Sequence, residues 1–187
     1  MLASDLSYRL SDHFILAEAV RSSTAARLGI DNRPPIELLP ALSTVAKRIL
    51  EPCRDYFNVP IRPSSWYRGE DLERAICWGG RDDSAFGRWC RNRKREINDL
   101  SWAVYFAAKQ HPTGNAVDFE VARVSNIELA TYIRDNLAFD QLILEFYDPD
   151  DPVAGWVHAS YVAQGKNRQQ VLTIGRGFVR EGLPEIS

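Results

Sequence analysis

Two short runs of the chain contain side chains of the kind that bind metal ions, and they constrain its folding more than any other feature. The first run, His111–Asp118, reads H-x-x-G-x-A-x-D, and the second, Trp156–His158, ends on another histidine. Two imidazoles and one carboxylate can form a catalytic zinc site in which water takes the fourth position. Because His111, Asp118 and His158 must meet to form such a site, the segments that carry them must be neighbours in the fold.

Alternation of apolar and polar residues predicts that both runs lie on strands or lead into them. Val117, Phe119 and Val121 are apolar at alternate positions, so Asp118 faces away from them. Further strands are predicted at Gln141–Tyr147, Trp156–Tyr161 and Gln170–Ile174. Gly114 permits the tight turn that lets both ligands of the first run reach one ion. Without an ion, the three residues would be polar groups that are hydrogen-bonded near a sheet edge.

Before these strands the pattern is mainly helical. Pro34 and Pro35 are expected to open a long helix, since proline fits the first helical turn, and Pro52 is expected to bend or end it. A strand start is predicted at Val59–Ser65. Helices first and a small antiparallel sheet afterwards indicate an α+β fold, and 187 residues suit a single domain, 1–187.

Residues 77–110 differ in composition from the rest of the chain. They contain three of the five tryptophans and a basic run from Arg88 to Arg95. Interleaved tryptophans and arginines could form a platform for glycan or nucleic acid. In the other interpretation, helices pack the tryptophans on the domain and leave the charges in water. The sequence predicts a mostly helical insertion here, at about 80–108.

Several short sequence motifs follow one another along the chain in the same order as in a known family, which they resemble. They are Ser11-Asp12-His13-Phe14, Leu28-Gly29-Ile30-Asp31-Asn32, Leu50-Glu51-Pro52, Ser65-Trp66-Tyr67-Arg68, His111–Asp118, Ser125-Asn126, Leu142–Tyr147 and Trp156-Val157-His158. Together they resemble the zinc D-Ala-D-Ala carboxypeptidase family, in particular the branch common in phages and prophages. The resemblance covers nearly all of the chain except about 80–108.

This resemblance implies a hedgehog/DD-peptidase-like fold, in which a small antiparallel sheet flanked by helices holds the metal on its open face. It implies Zn²⁺ as the cofactor, with His111, Asp118 and His158 as its ligands. It also implies that the substrates are D-alanine-containing peptides of peptidoglycan. Zinc held in this way lowers the pKa of a bound water to roughly 7. His13 lies in one of the matching motifs but not in a metal-binding one, and it is expected to be structural.

The resemblance also implies that Arg68, from the S-x-Y-R motif, would bind the substrate carboxylate or the developing oxyanion. A planar guanidinium suits this role because it can bind both oxygens of a carboxylate. Considered alone, Arg68 would be expected to pair with a surface acid.

The general base is less directly indicated. Much of the family carries an acidic residue three positions before the last histidine, but here that position is Gly155. Glu145 is the preferred candidate because it is an acid on one defined face of an apolar strand, where burial could adjust its pKa for proton transfer. Asp148 in the following loop is the substitute. Glu145 could instead belong to an unrelated ion pair at a strand edge.

Composition limits the class of partner and the compartment. A net charge of −2 argues against a general nucleic-acid binder. Three cysteines without C-x-x-C spacing are typical of reduced thiols. The N-terminus shows no secretory signal, and no apolar stretch is long enough to cross a bilayer. We therefore expect cytoplasmic synthesis without a membrane partner, and action at the cell wall after release or as a phage component. The oligomeric state stays open.

The sequence therefore predicts a zinc-dependent peptidase that hydrolyses peptide bonds of bacterial peptidoglycan, as a carboxypeptidase or an endopeptidase. The alternative is a catalytically inactive phage structural or peptidoglycan-binding protein that keeps the fold. The glycine at position 155 and the insertion favour the alternative. The insertion precedes His111, where the family usually has a short loop, and it could cover the cleft or impair the site.

Overall fold

The computed structural model describes residues 1–148, 150–151, 153–175 and 177–185. Its α-helices are α1 Leu16–Val20, α2 Ser23–Leu28, α3 Leu39–Val45, α4 Glu51–Phe57, α5 Glu70–Cys77, α6 Ala85–Asn92, α7 Asp99–Ala107 and α8 Asn126–Asn136. Its strands are β1 Ala116–Phe119, β2 Gln141–Glu145, β3 Trp156–Ser160, β4 Gln170–Gly175 and β5 Phe178–Glu181. Short 3₁₀ turns at Ile36–Leu38 and His111–Thr113 precede α3 and β1. The predicted α+β class is confirmed.

The strands form one mixed sheet in the order β1-β3-β2-β4-β5. Strand β3 is antiparallel to β1 and β2, and β5 is antiparallel to β4, but β4 is parallel to β2. The prediction of an antiparallel sheet is therefore wrong at the β2–β4 pair. The reason lies in the loop 161–169. This loop begins at the end of β3, which lies beside the start of β2. Strand β4 consequently enters from the same end as β2, and Gln170 lies opposite Gln141.

Two strand predictions at the margins of the sheet are also corrected. Residues 59–65, all of which the structure describes, form no strand, because Pro60 and Pro63 lack the amide hydrogens that a ladder needs. Only an isolated bridge joins Ser65 to β1. Strand β5 was not predicted, and its four residues are all exposed, so they carry no burial pattern that a sequence could reveal.

The long predicted helix begins after Pro35 but does not end at Pro52. Between α3 and α4 the chain widens into a π-helical stretch, Ala46–Leu50, and the Glu51 amide donates to the carbonyl of Ala46. Pro52 follows this change in the hydrogen-bond ladder and lies in the first turn of α4, where a missing amide hydrogen is tolerated. Among the described residues, no helix combines the length and apolarity needed to cross a bilayer.

One face of the sheet packs against helices and forms the main core. The buried side chains of this core on the sheet are Val117, Phe119, Leu142, Leu144, Val157 and Ala159. Those on the helices that cover them are Leu42, Val45, Ala46, Ile49 and Leu50 before the sheet and Leu129, Ala130 and Ile133 in α8. The opposite face is thereby left for polar side chains that alternate with the apolar ones.

Residues 77–110 are mostly helical, as predicted, and have a small core of their own. This second core contains Cys77, Phe86, Cys90, Trp102 and Tyr105, with Trp78, Trp89, Ile97 and Phe106 packed against it. Arginines lie over the indole faces: the guanidinium of Arg74 is 4.9 Å from the rings of both Trp78 and Trp102, and that of Arg93 is 4.9 Å from Trp89. These contacts support the interpretation that the tryptophans serve packing.

Candidate metal centre

The three predicted ligands converge on the polar face of the sheet. Nitrogen and oxygen atoms of His111, Asp118 and His158 lie within 4.8 Å of one another, and each residue is at most 6% exposed. The Asp118 carboxylate is central, because its Oδ1 lies 2.8 Å from Nδ1 of His158 and 3.2 Å from Nε2 of His111. A buried group of this composition could hold a metal ion.

Neighbouring strands and one turn place these side chains. Asp118 of β1 lies directly opposite His158 of β3 in the antiparallel ladder, so both project from the same face. His111 precedes β1 in a 3₁₀ turn that ends at Gly114 with φ of +72°. A left-handed residue reverses the chain there, and glycine adopts that conformation without strain, as the sequence predicts.

The Ser65–Arg68 motif is held against β1 by backbone hydrogen bonds. The amide of Asp118 donates to the carbonyl of Ser65 at 2.7 Å, and the Ser65 amide donates back at 3.2 Å. One residue later, the carbonyl of Trp66 accepts from Nδ1 of His111 at 2.6 Å. The Ser65–Arg68 and His111–Asp118 motifs are therefore in contact, and the contact orients the His111 ring.

The hydrogen bonds of His111 indicate what the group lacks. Because a carbonyl can only accept, Nδ1 of His111 carries the hydrogen and Nε2 presents a lone pair. That Nε2 atom is buried without a hydrogen-bond partner and faces the Asp118 carboxylate. Two acceptors facing each other at this distance repel unless a cation lies between them, so the donor set fits a metal ion.

Burial and neighbouring charges favour the metal-binding forms of both groups. Burial lowers the pKa of His111, and the nearby Asp118 only partly opposes this, so the imidazole is neutral near pH 7. Burial alone would raise the pKa of Asp118, and positive charge at His111 and His158 would outweigh burial and hold that pKa well below the usual range; when both imidazoles are neutral, a bound cation would supply this charge. Metal ions bind the neutral imidazole and the ionised carboxylate.

Arg68 lies beside the metal-binding group but pairs with a buried acid and not with a surface one. Its Nε is 3.1 Å from Oε2 of Glu73, and its Nη2 is 3.8 Å from Oδ2 of Asp118. Glu73, on α5, is fully buried and also lies 3.7 Å from Nζ of Lys109. Sequence reasoning missed Glu73, because an acid in the first turn of a helix is ordinarily a solvated residue.

Glu145 reaches the same cleft as the ligands. In the β2–β3 ladder Ile143 lies opposite His158 and Glu145 opposite Trp156, so Glu145 shares the face of His158. Burial, followed by the charge of Asp118, raises the pKa of its carboxyl group. This preferred candidate base therefore lies at the site and is not in an ion pair within the described structure.

The substitute candidate, Asp148, lies elsewhere. It lines a neighbouring groove with Phe146, Trp156 and Phe178, away from the cleft that contains His158. Pro149 and Pro152 of the same loop fall outside the described residues. Phe146 has φ of +54°, so β2 ends at Glu145 and not at Tyr147 as predicted.

Position 155 has no space for a side chain unless the backbone moves. Gly155 has φ of +74°, and a Cβ added there would lie 1.8 Å from the carbonyl oxygen of Glu145. The structure therefore favours glycine at the position where the resemblance of the motifs would lead us to expect an acid. Any carboxylate that moves protons at this site must come from another position, and Glu145 provides one.

Two grooves extend from the ligand group. A cleft of about 400 Å³ contains His111, His158 and Glu145, with the cationic side chains of Arg68, Lys109 and Arg168 around it. A second groove of about 380 Å³ is lined by Asp118, Trp156 and Arg68. The hydroxyl-bearing residues of this second groove are Ser22, Ser23, Thr24, Ser64, Ser65 and Tyr67. Arg68 lines both grooves, so an elongated ligand has space on either side of the metal-binding group.

The third histidine is structural, as predicted. Nδ1 of His13 lies 2.7 Å from Oε2 of Glu51, and the His13 amide donates to the same carboxylate at 2.8 Å. His13 is not part of the metal-binding group. These contacts join two further sequence motifs, Ser11–Phe14 before α1 and Leu50–Pro52 at the start of α4.

The chain was compared with protein-family models and with curated proteins, and no match was found in either comparison.

Proposed function

We propose that this chain is a zinc-dependent peptidase that hydrolyses peptide bonds of bacterial peptidoglycan, in the manner of the zinc D-Ala-D-Ala carboxypeptidases that its motifs resemble. One observation carries the proposal: a buried His111–Asp118–His158 group has a nitrogen lone pair without a partner and opens into a cleft with Glu145 and Arg68. The choice of peptidoglycan as substrate rests on the order of the sequence motifs that resemble this family.

The roles of the residues follow from their chemistry. When bound by His111, Asp118 and His158, zinc would lower the pKa of a coordinated water to roughly 7 and polarise a peptide carbonyl. Glu145, whose pKa burial raises, would take a proton from the attacking water and give it to the leaving amine. Arg68 would bind the negative oxygen that develops on the scissile carbonyl or the terminal carboxylate of the peptide.

The two grooves support a substrate that continues on both sides of the scissile bond. Cations predominate in the cleft with Glu145, which suits the carboxylate end of a peptide. Hydroxyl groups predominate in the other groove, which suits the polar backbone of the remaining peptide.

A second candidate is a peptidoglycan-binding protein that keeps the fold without turnover. It is favoured by Gly155, which stands where a catalytic acid is often found in the resembled family. It predicts binding to peptidoglycan with no fragments released in excess zinc.

The proposal is tested by measuring zinc content and muropeptide release on the same purified samples. We expect about one zinc per chain in the wild type, and loss of both zinc and product in His111→Ala. The matched control is His13→Ala, which removes the remaining histidine and should keep both, because His13 bonds to Glu51 and not to the ligand group.

Each other outcome has a definite meaning. A wild-type protein that binds no zinc contradicts the proposal. Zinc binding together with peptidoglycan binding, but without released fragments from any wall chemistry tried, favours the inactive binding protein.

A further inference from the structure

A chain of polar side chains runs from the protein surface to His158. It begins at the exposed Arg168 and continues to Asp140, a 4% exposed residue immediately before β2. Oδ1 of Asp140 accepts from the amide and Nε of Arg168 at 3.0 and 2.9 Å, and Oδ2 accepts from Nη2 of Arg168 at 2.6 Å. Arg168 thereby holds the pKa of Asp140 below its ordinary value, so the carboxylate is ionised and can only accept hydrogen bonds.

This carboxylate determines how the Gln110 amide is oriented. Nε2 of Gln110 donates to Oδ2 of Asp140 at 2.8 Å. The reverse orientation would place two oxygen acceptors together. Oε1 of Gln110 must therefore point the other way, and there it lies 3.2 Å from Nε2 of His158.

The oriented amide in turn determines the tautomer of His158. Because Oε1 of Gln110 can only accept, Nε2 of His158 carries the hydrogen, and Nδ1 keeps the lone pair. Nδ1 is the atom that lies 2.8 Å from Oδ1 of Asp118. The two imidazoles therefore offer opposite nitrogens: Nε2 in His111, because the Trp66 carbonyl binds its Nδ1, and Nδ1 in His158.

We propose that Gln110, held by Asp140 and Arg168, is a positioning residue that fixes His158 as a ligand through Nδ1 and thereby sets the metal affinity of the site. This inference rests on the proposed metal-dependent function. Gln110 adjoins His111, so a single turn supplies one ligand and orients another. Partners that orient ligand histidines typically change metal affinity by roughly 10–100-fold when they are removed.

The first test compares the zinc dissociation constants of the wild type, Gln110→Leu and the control Gln164→Leu, measured by competition with a chelator. Gln164 is exposed in the loop 161–169 and has a side chain of the same kind. We expect the dissociation constant to rise roughly 10–100-fold in Gln110→Leu and to stay at the wild-type value in Gln164→Leu.

The second test reads the tautomer directly by nitrogen-15 NMR of the histidine rings in the zinc-free proteins, because zinc on Nδ1 would by itself force the hydrogen onto Nε2. We expect the wild-type spectrum to show His158 with its hydrogen on Nε2. In Gln110→Leu the hydrogen should move to Nδ1, which can then donate to Asp118, since leucine offers no acceptor for Nε2. A purely structural role for Gln110 would not change this signature.

A pair of exchanged side chains protects the test against simple misfolding. Asp140→Asn should weaken zinc binding, because an amide no longer forces one orientation on Gln110. Adding Gln110→Glu should restore much of the affinity and the Nε2–H tautomer, because a carboxylate then faces His158 and an amide supports it.

The outcomes separate this inference from the proposed function. Zinc binding by the wild type with an unchanged dissociation constant and an unchanged His158 tautomer in Gln110→Leu overturns only the role of Gln110. Failure of the double exchange to recover either readout also contradicts it. A wild-type protein that binds no zinc overturns the proposed function as well.

Discussion

Single residues at the site combine a chemical role with a strict conformational requirement. Glu145 ends β2 with its side chain in the cleft, and its carbonyl oxygen abuts Gly155 at the point where the chain enters β3. The same residue therefore offers a carboxylate to the cleft and leaves no room for a side chain at position 155. This contact is consistent with a carboxylate in the cleft that comes from β2 and not from position 155.

The proposed role of Glu145 as the proton carrier predicts a specific loss in the Glu145→Gln variant. We expect kcat to fall by roughly 10²–10⁴-fold, because the proton carrier is removed, while zinc content stays at the wild-type level. Since burial raises the pKa of Glu145, wild-type kcat/KM should fall with decreasing pH around a value above the ordinary 4.5. Kinetic assays over pH check both points, with the exposed Glu120→Gln as control. Full activity in Glu145→Gln would exclude this residue as the base.

The contact at Gly155 predicts a stability difference between two glycine substitutions. Gly155 and Gly80 have similar φ of +74° and +70°, so alanine at either position costs roughly 1 kcal/mol of backbone strain. A Cβ at Gly155 also meets the Glu145 carbonyl, whereas nothing lies within 4 Å at Gly80. Urea unfolding should therefore show Gly155→Ala to be less stable than Gly80→Ala by roughly 1–3 kcal/mol. Equal losses would contradict the close approach.

At the scale of elements, one ion pair ties the two parallel strands together. Asp140 precedes β2, and Arg168 lies two residues before β4. Their carboxylate–guanidinium contact at 2.6 Å, together with the hydrogen bond from the Gln170 amide to the Asp140 carbonyl, aligns the starts of both strands. This link aligns Gln170 with Gln141 at the start of the parallel pair.

The Asp140–Arg168 pair predicts an acid-sensitive contribution to stability. Arg168 holds the pKa of Asp140 below 3.8, so the unfolded chain takes up this proton first as pH falls. The contribution is complete above about pH 4 and is lost as pH falls through the lowered pKa. Asp140→Asn should cost about 1–2 kcal/mol near pH 7, a difference that shrinks below pH 4. Urea unfolding at several pH values measures this, with the exposed Asp55→Asn as control. A difference that is independent of pH would contradict the assignment.

The second core in residues 77–110 is a further element-scale feature. Trp102 is 1% exposed and packs with Phe86 and Tyr105, and its Nε1 donates to Glu70 of α5 at 3.0 Å. This hydrogen bond and the stacking of Arg74 connect α7 to α5, which lies next to Arg68 in the chain.

Two substitutions on α7 test how far this second core stabilises the protein. Trp102→Ala should lower the free energy of unfolding by about 3–5 kcal/mol, because it leaves a large cavity. Leu100, which is 81% exposed on the same helix, should change it by less than about 0.5 kcal/mol when replaced by alanine. Denaturant unfolding monitored by circular dichroism compares the two. Similar values would show that the tryptophan cluster does not act as a core.

At the scale of the whole molecule, the ligand group is a buried polar centre built from distant parts of the chain. Burying a lone pair against a carboxylate is unfavourable until a cation separates them. The folded protein should consequently bind the metal far better than the unfolded chain does, which links metal binding to stability.

This linkage predicts that zinc raises the melting temperature. At a free concentration about 100 times the dissociation constant, zinc should stabilise the wild type by about 2.7 kcal/mol, or roughly 5–10 °C in Tm for a chain of this size. A chelator should reverse the shift, and His111→Ala should show none. Differential scanning calorimetry provides the measurement. A wild-type Tm that responds to neither zinc nor chelator would rule out a metal site.

The sequence alone determined which residues could form the site and which elements carry them. Ligand chemistry and a fixed spacing identified His111, Asp118 and His158, and alternation assigned the faces of β1 and β3, because these properties are local to a few residues. The class of fold followed in the same way, from helices before strands. The site itself and the placement of Glu145 on the face of His158 required only that these strands be neighbours.

Only the tertiary structure decided the partners that control these side chains. Glu73 beside Arg68, the Trp66 carbonyl on His111 and the amide of Gln110 on His158 are contacts between segments that no local pattern relates. The parallel entry of β4 likewise depends on the route of a loop, and the need for Gly155 depends on the approach of another strand. Such contacts are set by packing over the whole chain, whereas periodicity and motif spacing report only neighbours in sequence.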